Sequence, residues 1–170
     1  VNAEGIYSDN SDDPITDRQL NKIQEDAINR IEVPIDSEVL FAYPQNYSLD
    51  RRDIGHKKPY KMRGKIINCN YHIVIGHRSS LNNISAAAGQ INYNAREIVF
   101  NNLAQAYAVL EPEEKAMGVL LLDIGDNSTD ISLYINGCLR HTGVIYFGGR
   151  NITNELAGKL NISIETAEQI

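Results

Sequence analysis

Residues 118–147, GVLLLDIGDNSTDISLYINGCLRHTGVIYF, leave this chain little freedom in how it folds. Val119 to Ile124 is a nearly continuous apolar run, the mark of a strand covered on both faces. The run stops at a polar tip, DIGDNSTD, and Thr129 to Ile135 then alternates apolar and polar residues as a strand does. Asn136-Gly137 is the dipeptide that a two-residue hairpin turn demands, and Cys138 to Phe147 supplies a third strand. Gly148-Gly149 breaks that strand. A helix follows over ITNELAGKL, with the start of another at Ile164 to Ile170.

The first ~90 residues read differently, as strand, helix, strand, strand, helix, from the periodicity of their apolar residues. A short strand over Val1 to Ser8 leads through the turn cluster DNSDDP to a helix capped by Thr16, with Gln19 reaching back as a capping box. Leu20, Ile23, Ala27 and Ile31 share one face of that helix, and Pro34 ends the segment. Ser37 to Ala42 is a strand, and PQNYSLDRRDIGHKKP reads as a long polar connection. Lys65 to Ile75 alternates, with Ile67, Cys69, Tyr71, Ile73 and Ile75 on one side and Asn68, Asn70 and His72 on the other. Ser80 and Gly89 bracket a second helix. INYNAREIVF reads as a strand, NNLAQAYAVL as a short helix with Leu103, Ala106, Tyr107 and Leu110 on one side, and EPEEKAMG as a polar turn.

The totals narrow the function classes. A chain of 170 residues with 42% hydrophobic content can bury a real core as one domain or two small ones. A formal charge of -6 and a pI near 5.2 argue against a general binder of nucleic acid or anionic membrane. Cys69 and Cys138 make no disulfide framework and no zinc spacing, which fits a reducing, cytosolic setting. His56, His72 and His77 lack a second ligand at helical spacing, so loop or sheet-surface roles are expected of them. The basic run Arg51 to Lys58 reads as a solvated loop, with partner docking as its alternative. No apolar run of about 18 residues or targeting segment is present. The sequons at Asn46, Asn83, Asn127, Asn151 and Asn161 are taken as chance matches. The chain starts without Met and stops inside a helical pattern, so a piece of something larger is expected.

The tip is where chemistry concentrates, and two readings of it stand. Gly, Asn, Asp and Ser are what a plain hairpin turn uses. The same residues can also form an anion site: Gly125 permits φ > 0, Asn127 tolerates a left-handed backbone, and successive amides can nest a phosphate. Ser128 and Thr129 would add hydroxyl donors. Carboxylates beside a phosphate require a cation between them, and Mg²⁺ is commonly reached through one or two Asp, with Asp123 first and Asp130 second. The spacing of an EF-hand calcium loop is absent.

The succession strand, acidic tip, strand, NG turn, strand, GG and helix resembles the second phosphate-binding hairpin of the actin, Hsp70 and sugar-kinase superfamily. Within it the chain resembles the FtsA family of bacterial cell-division proteins. There this region looks like GVxLxDIGGGTTDIxxYxxGxLxHTxVIxxGGxxIT, and here it stands as GVLLLDIGDNSTDISLYINGCLRHTGVIYFGGRNIT. SEVLFAYPQNYSLD, KKPYKMRGKI and LAQAYAVLEPEEKAMGV are similar to further stretches of the family, so the resemblance runs over nearly the whole chain.

The resemblance implies an α+β unit of strand-helix-strand-strand type, the inserted subdomain 1C, over residues 1–90. Residues 91–170 would be the first part of subdomain 2A, of the ribonuclease H-like, actin-like α/β fold. It implies ATP with Mg²⁺ as cofactors of the full-length protein, Asp123 near the metal, and Gly125, Asp126, Asn127, Ser128 and Thr129 around the phosphates. Gly148, Gly149 and Asn151 would lie toward the ribose. It also implies FtsZ and other divisome proteins as partners, self-association into filaments, and a place on the cytoplasmic face of the inner membrane at the division site, reached through a C-terminal amphipathic helix outside these residues. No catalytic residue is assigned, and at most slow ATP hydrolysis by the full-length protein is expected. The family's GGG stands here as Gly125-Asp126-Asn127, which would force Asn127 into a glycine-like backbone at about 1–2 kcal/mol. The family's Glu-Pro pair stands as Asn101-Asn102. Alternatives are a PilM-like protein of pilus assembly and a sugar or acetate kinase.

Overall fold

The computed structural model describes residues 1–11, 13–93 and 98–170. Two antiparallel sheets organise them. The first contains β1 (Asn2–Ser8), β2 (Ser37–Leu49), β3 (Arg52–Gly55) and β4 (Ile66–His77), in the order β1-β4-β2-β3. Helix α1 (Asp17–Asn29) lies across it, started by Thr16, whose backbone N–H donates to Gln19 Oε1 at 2.8 Å. Leu20, Ile23 and Ala27 of α1 are buried against Tyr47, Leu49, Ile67, Cys69, Tyr71 and Ile73, and Ile31 packs at the margin. α1 passes so close to β1 that a Cβ on Gly5 would sit 2.0 Å from the Ile23 carbonyl oxygen. A side chain there would push the helix off the sheet.

The segment expected to be a long polar connection is instead the end of β2, a tight turn and β3. Pro44 does not stop β2, because β3 pairs only with Tyr47 to Leu49 and the strand has one neighbour at Pro44. Two register shifts in the β2–β4 ladder absorb the irregularity. The turn is made by Asp50 and Arg51, with φ of 48° and 67°, a left-handed pair built without glycine. Asp50 Oδ1 holds it by accepting from the N–H groups of Lys65 and Ile66, each at 2.9 Å. Those two donors pull the Asp50 carboxyl below its ordinary pKa.

The second sheet is the meander β5 (Val119–Ile124), β6 (Thr129–Ile135) and β7 (Cys138–Ile145), turned at Asn136-Gly137 with φ of 54° and 78°. Helix α3 (Asn101–Val109) covers one face, where Ala106, Tyr134 and Leu139 form a small core with Leu110, Val119 and Leu121 around it. The opposite face of β5 is not covered: Leu120, Leu122 and Ile124 are 55%, 49% and 67% exposed. That corrects the expectation of a strand buried on both sides: Val119 and Leu121 face the small core, and Leu120, Leu122 and Ile124 face outward. Tyr107, placed by periodicity on the buried side of α3, is exposed and lies under the Lys115 ammonium, 4.9 Å from its ring centroid.

Further differences concern helices. EPEEKAMG contains helix α4 (Pro112–Met117), since Pro at its first position and Glu114 accepting from the Glu111 N–H start it as well as any cap. Helix α2 (Arg78–Gln90) begins directly after β4, two residues before Ser80, and runs through Gly89. Helix α5 (Gly149–Leu160) begins at the glycine pair, and α6 (Ile164–Ala167) follows. The strand expected over INYNAREIVF falls partly on 94–97, outside the described residues, and its described flanks carry no strand.

Polar contacts join the sheets. Gln45 Nε2 donates to the carbonyls of Leu139 at 2.8 Å and Arg140 at 3.0 Å. His72, expected on the polar side of its strand, is buried because β7 covers it. Its Nδ1 lies 2.7 Å from Asn2 Oδ1, which can only accept, so Nδ1 carries the proton and Nε2 accepts from the Thr142 hydroxyl at 3.0 Å. Burial, then the positive N-terminus and His141, lower the His72 pKa to about 4, so the ring is neutral near pH 7.

Candidate functional site

The tip joins β5 to β6 at the end of the second sheet. Asp123 and Asp130 face each other across the ladder, so both carboxylates lie on the α3 side of the sheet. Like charges directly opposite destabilise a pair unless donors or a cation separate them. Side-chain amides from α3 do so: Gln105 Nε2 donates to Asp123, and Asn101 Nδ2 approaches Asp130 Oδ2 at 3.4 Å. Asn102, which stands where the resembling family has Pro, is buried and donates to Ser132 Oγ at 3.0 Å and the Ile131 carbonyl at 3.3 Å. It anchors α3 to β6, a role the sequence did not signal.

Beyond Asp123 the chain turns back within four residues, Gly125 to Ser128, closed by the Gly125 N–H donating to the Ser128 carbonyl at 2.8 Å. None of the four has positive φ. The expectation that Gly125 and Asn127 adopt a left-handed backbone is therefore corrected: this turn closes without one, and Asn127 stands in a glycine position at no backbone cost. The N–H groups of Asp126, Asn127 and Ser128 make no hydrogen bond among the described residues, and Asp126 and Asn127 are exposed. Three successive unengaged amides are a donor set for an anion's oxygens. Thr129 is not part of it. Its hydroxyl donates to the Phe147 carbonyl at 2.8 Å and the residue is buried, so its donor is spent tying β6 to the end of β7.

The start of α5 packs under the tip. Gly149 N–H donates to the Gly125 carbonyl at 2.9 Å and Arg150 N–H to the Asp126 carbonyl at 2.8 Å, so the tip satisfies two amides that a helix leaves without partners. A Cβ on Gly148 would lie 2.4 Å from the Gly125 oxygen and 2.5 Å from the Asp126 oxygen, and only glycine permits this approach. Asn151 Oδ1 accepts from the Gly148 N–H at 2.9 Å, which makes its side chain a helix cap. Arg150, which no motif marks in the sequence, reaches Asp126 Oδ2 with Nε at 2.9 Å and Nη2 at 2.8 Å.

The structure thus brings together Asp123, Gly125, Asp126, Asn127, Ser128, Gly148 and Gly149 within one corner. It gives Thr129 and Asn151 internal partners. Its donors suit a phosphate and its carboxylate pair suits a hydrated Mg²⁺, because that ion keeps most of its waters and needs few protein ligands. No group of three or more His, Cys, Asp or Glu that could hold a metal occurs among the described residues, so a cation here would share its coordination with the phosphates. No helix among the described residues is long and apolar enough to cross a membrane.

Comparisons with known proteins agree on one kinship. The family described as "SHS2 domain inserted in FTSA" matches residues 1–75, and the one described as "Cell division protein FtsA" matches residues 120–170. The chain is 32% identical over 170 residues to the cell division protein FtsA of Neisseria meningitidis serogroup B, covering all of this chain and 40% of the relative. It is 34% identical over 172 residues to FtsA of Borreliella burgdorferi, covering 100% and 41%. Against FtsA of Escherichia coli K12 the identity is 31% over 163 residues, covering 92% and 38%. The chain therefore spans about 40% of the length of these relatives. Among solved structures, a chain of a PilM-PilN type IV pilus biogenesis complex superposes with a TM-score of 0.56 at 15% identity, covering 99% of this chain and 46% of that one. At that identity the likeness is one of fold.

Proposed function

The chain belongs to the FtsA family of cell-division proteins, and from that premise we propose that it supplies the phosphate-gripping corner of an ATP site and a partner-recruiting unit. In this reading the amides of Asp126, Asn127 and Ser128 hold nucleotide phosphates. Asp123, with Asp130 beside it, orients the water shell of a phosphate-bound Mg²⁺. Gly148 and Gly149 let the start of α5 close under the tip toward the ribose. The observation that carries the reading is the set of three consecutive unengaged amides at the end of β5, next to a facing carboxylate pair.

The first sheet with α1 then serves recruitment. We assign to it contacts with other division proteins and with further copies of the same protein, and to the whole protein the tethering of FtsZ at the cytoplasmic face of the membrane, through a segment outside these residues. The PilM likeness supports the actin-like fold, and with it an alternative role in pilus assembly. Residue-level similarity runs to the FtsA relatives instead.

One corner of a two-lobed site binds weakly alone. Calorimetry on the 170 residues is expected to give no detectable heat with Mg-ATP. A full-length FtsA relative whose matching region is exchanged for this chain is expected to bind it in the micromolar range. Asp123→Ala in that chimera should weaken binding at least tenfold, about 1.4 kcal/mol. A folded chimera that ignores Mg-ATP would overturn the proposal.

A further inference from the structure

Two residues stand where the resembling family has glycine, Asp126 and Asn127, and the structure ties both to a third, Arg150. Asp126 Oδ2 accepts from Arg150 Nε at 2.9 Å, from Arg150 Nη2 at 2.8 Å and from Asn127 Nδ2 at 3.0 Å. The main chain repeats the link, with the Arg150 N–H on the Asp126 carbonyl at 2.8 Å. One carboxylate oxygen thereby collects three side-chain donors directly beside three backbone amides that have no acceptor. The arrangement is that of an anion site whose side-chain half is filled by the protein's own carboxylate.

We propose that Arg150 is a phosphate-positioning residue held in reserve by Asp126, which acts as a resident competitor for it. An entering phosphate takes the guanidinium from Asp126 while its other oxygens meet the amides of 126–128. A guanidinium offers two parallel donors that match either a carboxylate or a phosphate, so exchange between the two anions needs little movement of Arg150. The pair is solvent-exposed, 63% for the Arg150 side chain and 48% for that of Asp126, so it is weak enough to exchange. Asn127 follows Asp126 through its Nδ2 contact, and its amide stays available. The proposal rests on reading the tip as a phosphate site, and it adds that affinity there is lowered by Asp126 and restored through Arg150.

The test is titration of the ¹⁵N-labelled 170-residue protein with inorganic pyrophosphate, following the amides of residues 125–129 and the Nε–Hε signal of Arg150. Asp126→Asn and Asp126→Gly should each tighten pyrophosphate binding severalfold, up to about fivefold, the scale set by releasing one exposed ion pair. Arg150→Gln placed on Asp126→Gly should abolish the gain, and Arg150→Lys should restore part of it. Unchanged or weaker binding in both Asp126 variants overturns the proposal, as does a gain that survives Arg150→Gln. Dispersed spectra for each variant separate these results from misfolding. Arg150-dependent pyrophosphate binding, combined with a full-length chimera that ignores Mg-ATP, would sink the nucleotide reading and leave the competition intact. No response to pyrophosphate at any tip amide in any variant overturns the competition, while the nucleotide reading stands or falls with the full-length chimera.

Discussion

At the scale of single residues, His72 shows how position changes a side chain's chemistry. Alternation along its strand assigns it to the polar face with Asn68 and Asn70, yet β7 covers it and Thr142 and Asn2 engage both ring nitrogens. Its folded pKa is near 4 against an ordinary 6.5, so the unfolded chain binds the proton more tightly. The stability it contributes is full above pH 6.5 and is lost as pH falls toward 4. By pH 5 the loss from this group is about 2 kcal/mol. Unfolding free energies from urea titrations at pH 7.5 and pH 5 are expected to fall further apart in the wild type than in His72→Gln by about that amount. Equal pH slopes in the two proteins would show that His72 is not held neutral. Periodicity cannot reveal such a residue, because the element that buries it lies 70 positions away along the chain.

Elements follow their local signals wherever the signal is a residue type that only one geometry uses. Asn136-Gly137 fixes its hairpin, and Thr16 with Gln19 fixes the start of α1. The β2–β3 hairpin escapes because Asp50-Arg51 takes left-handed φ values with neither Gly nor Asn, and its support comes from Lys65 and Ile66, 15 and 16 residues on. Asp50→Ala removes that support. The substitution is expected to lower stability and to speed amide exchange in β3, because the Lys65 and Ile66 N–H groups lose their acceptor. Asp50→Asn, which keeps an acceptor, should cost less. Unchanged exchange in Asp50→Ala would mean the turn stands by its own backbone. The tip belongs to this scale too. Composition marked it as polar and site-like, but the absence of positive φ and the commitment of Thr129 to Phe147 emerge only once β7 and α5 are in place.

At the scale of the whole molecule, two sheets meet through Gln45, His72 and Thr142, and the second sheet carries at one end the corner proposed to hold phosphate. The mixed α/β architecture was legible in the strand and helix periodicities, whereas the tip stood out as a candidate site only through the family resemblance of its flanks, since its residues alone suit a plain hairpin turn. The partnership of Asp126 with Arg150 was not legible, since 24 residues separate them and Arg150 belongs to no motif. Uncovered Leu120, Leu122 and Ile124 show the other limit: an apolar run states what a strand tolerates on both faces, while the packed side is the one that faces Ala106, Tyr134 and Leu139.

The most direct measurement is a crystal structure of the full-length chimera with Mg²⁺ and a non-hydrolysable ATP analogue. The account predicts phosphate oxygens about 2.7–3.2 Å from the amide nitrogens of Asp126, Asn127 and Ser128, with a hydrated Mg²⁺ facing Asp123. A nucleotide bound with its phosphates elsewhere, and those three amides left to water, would contradict it.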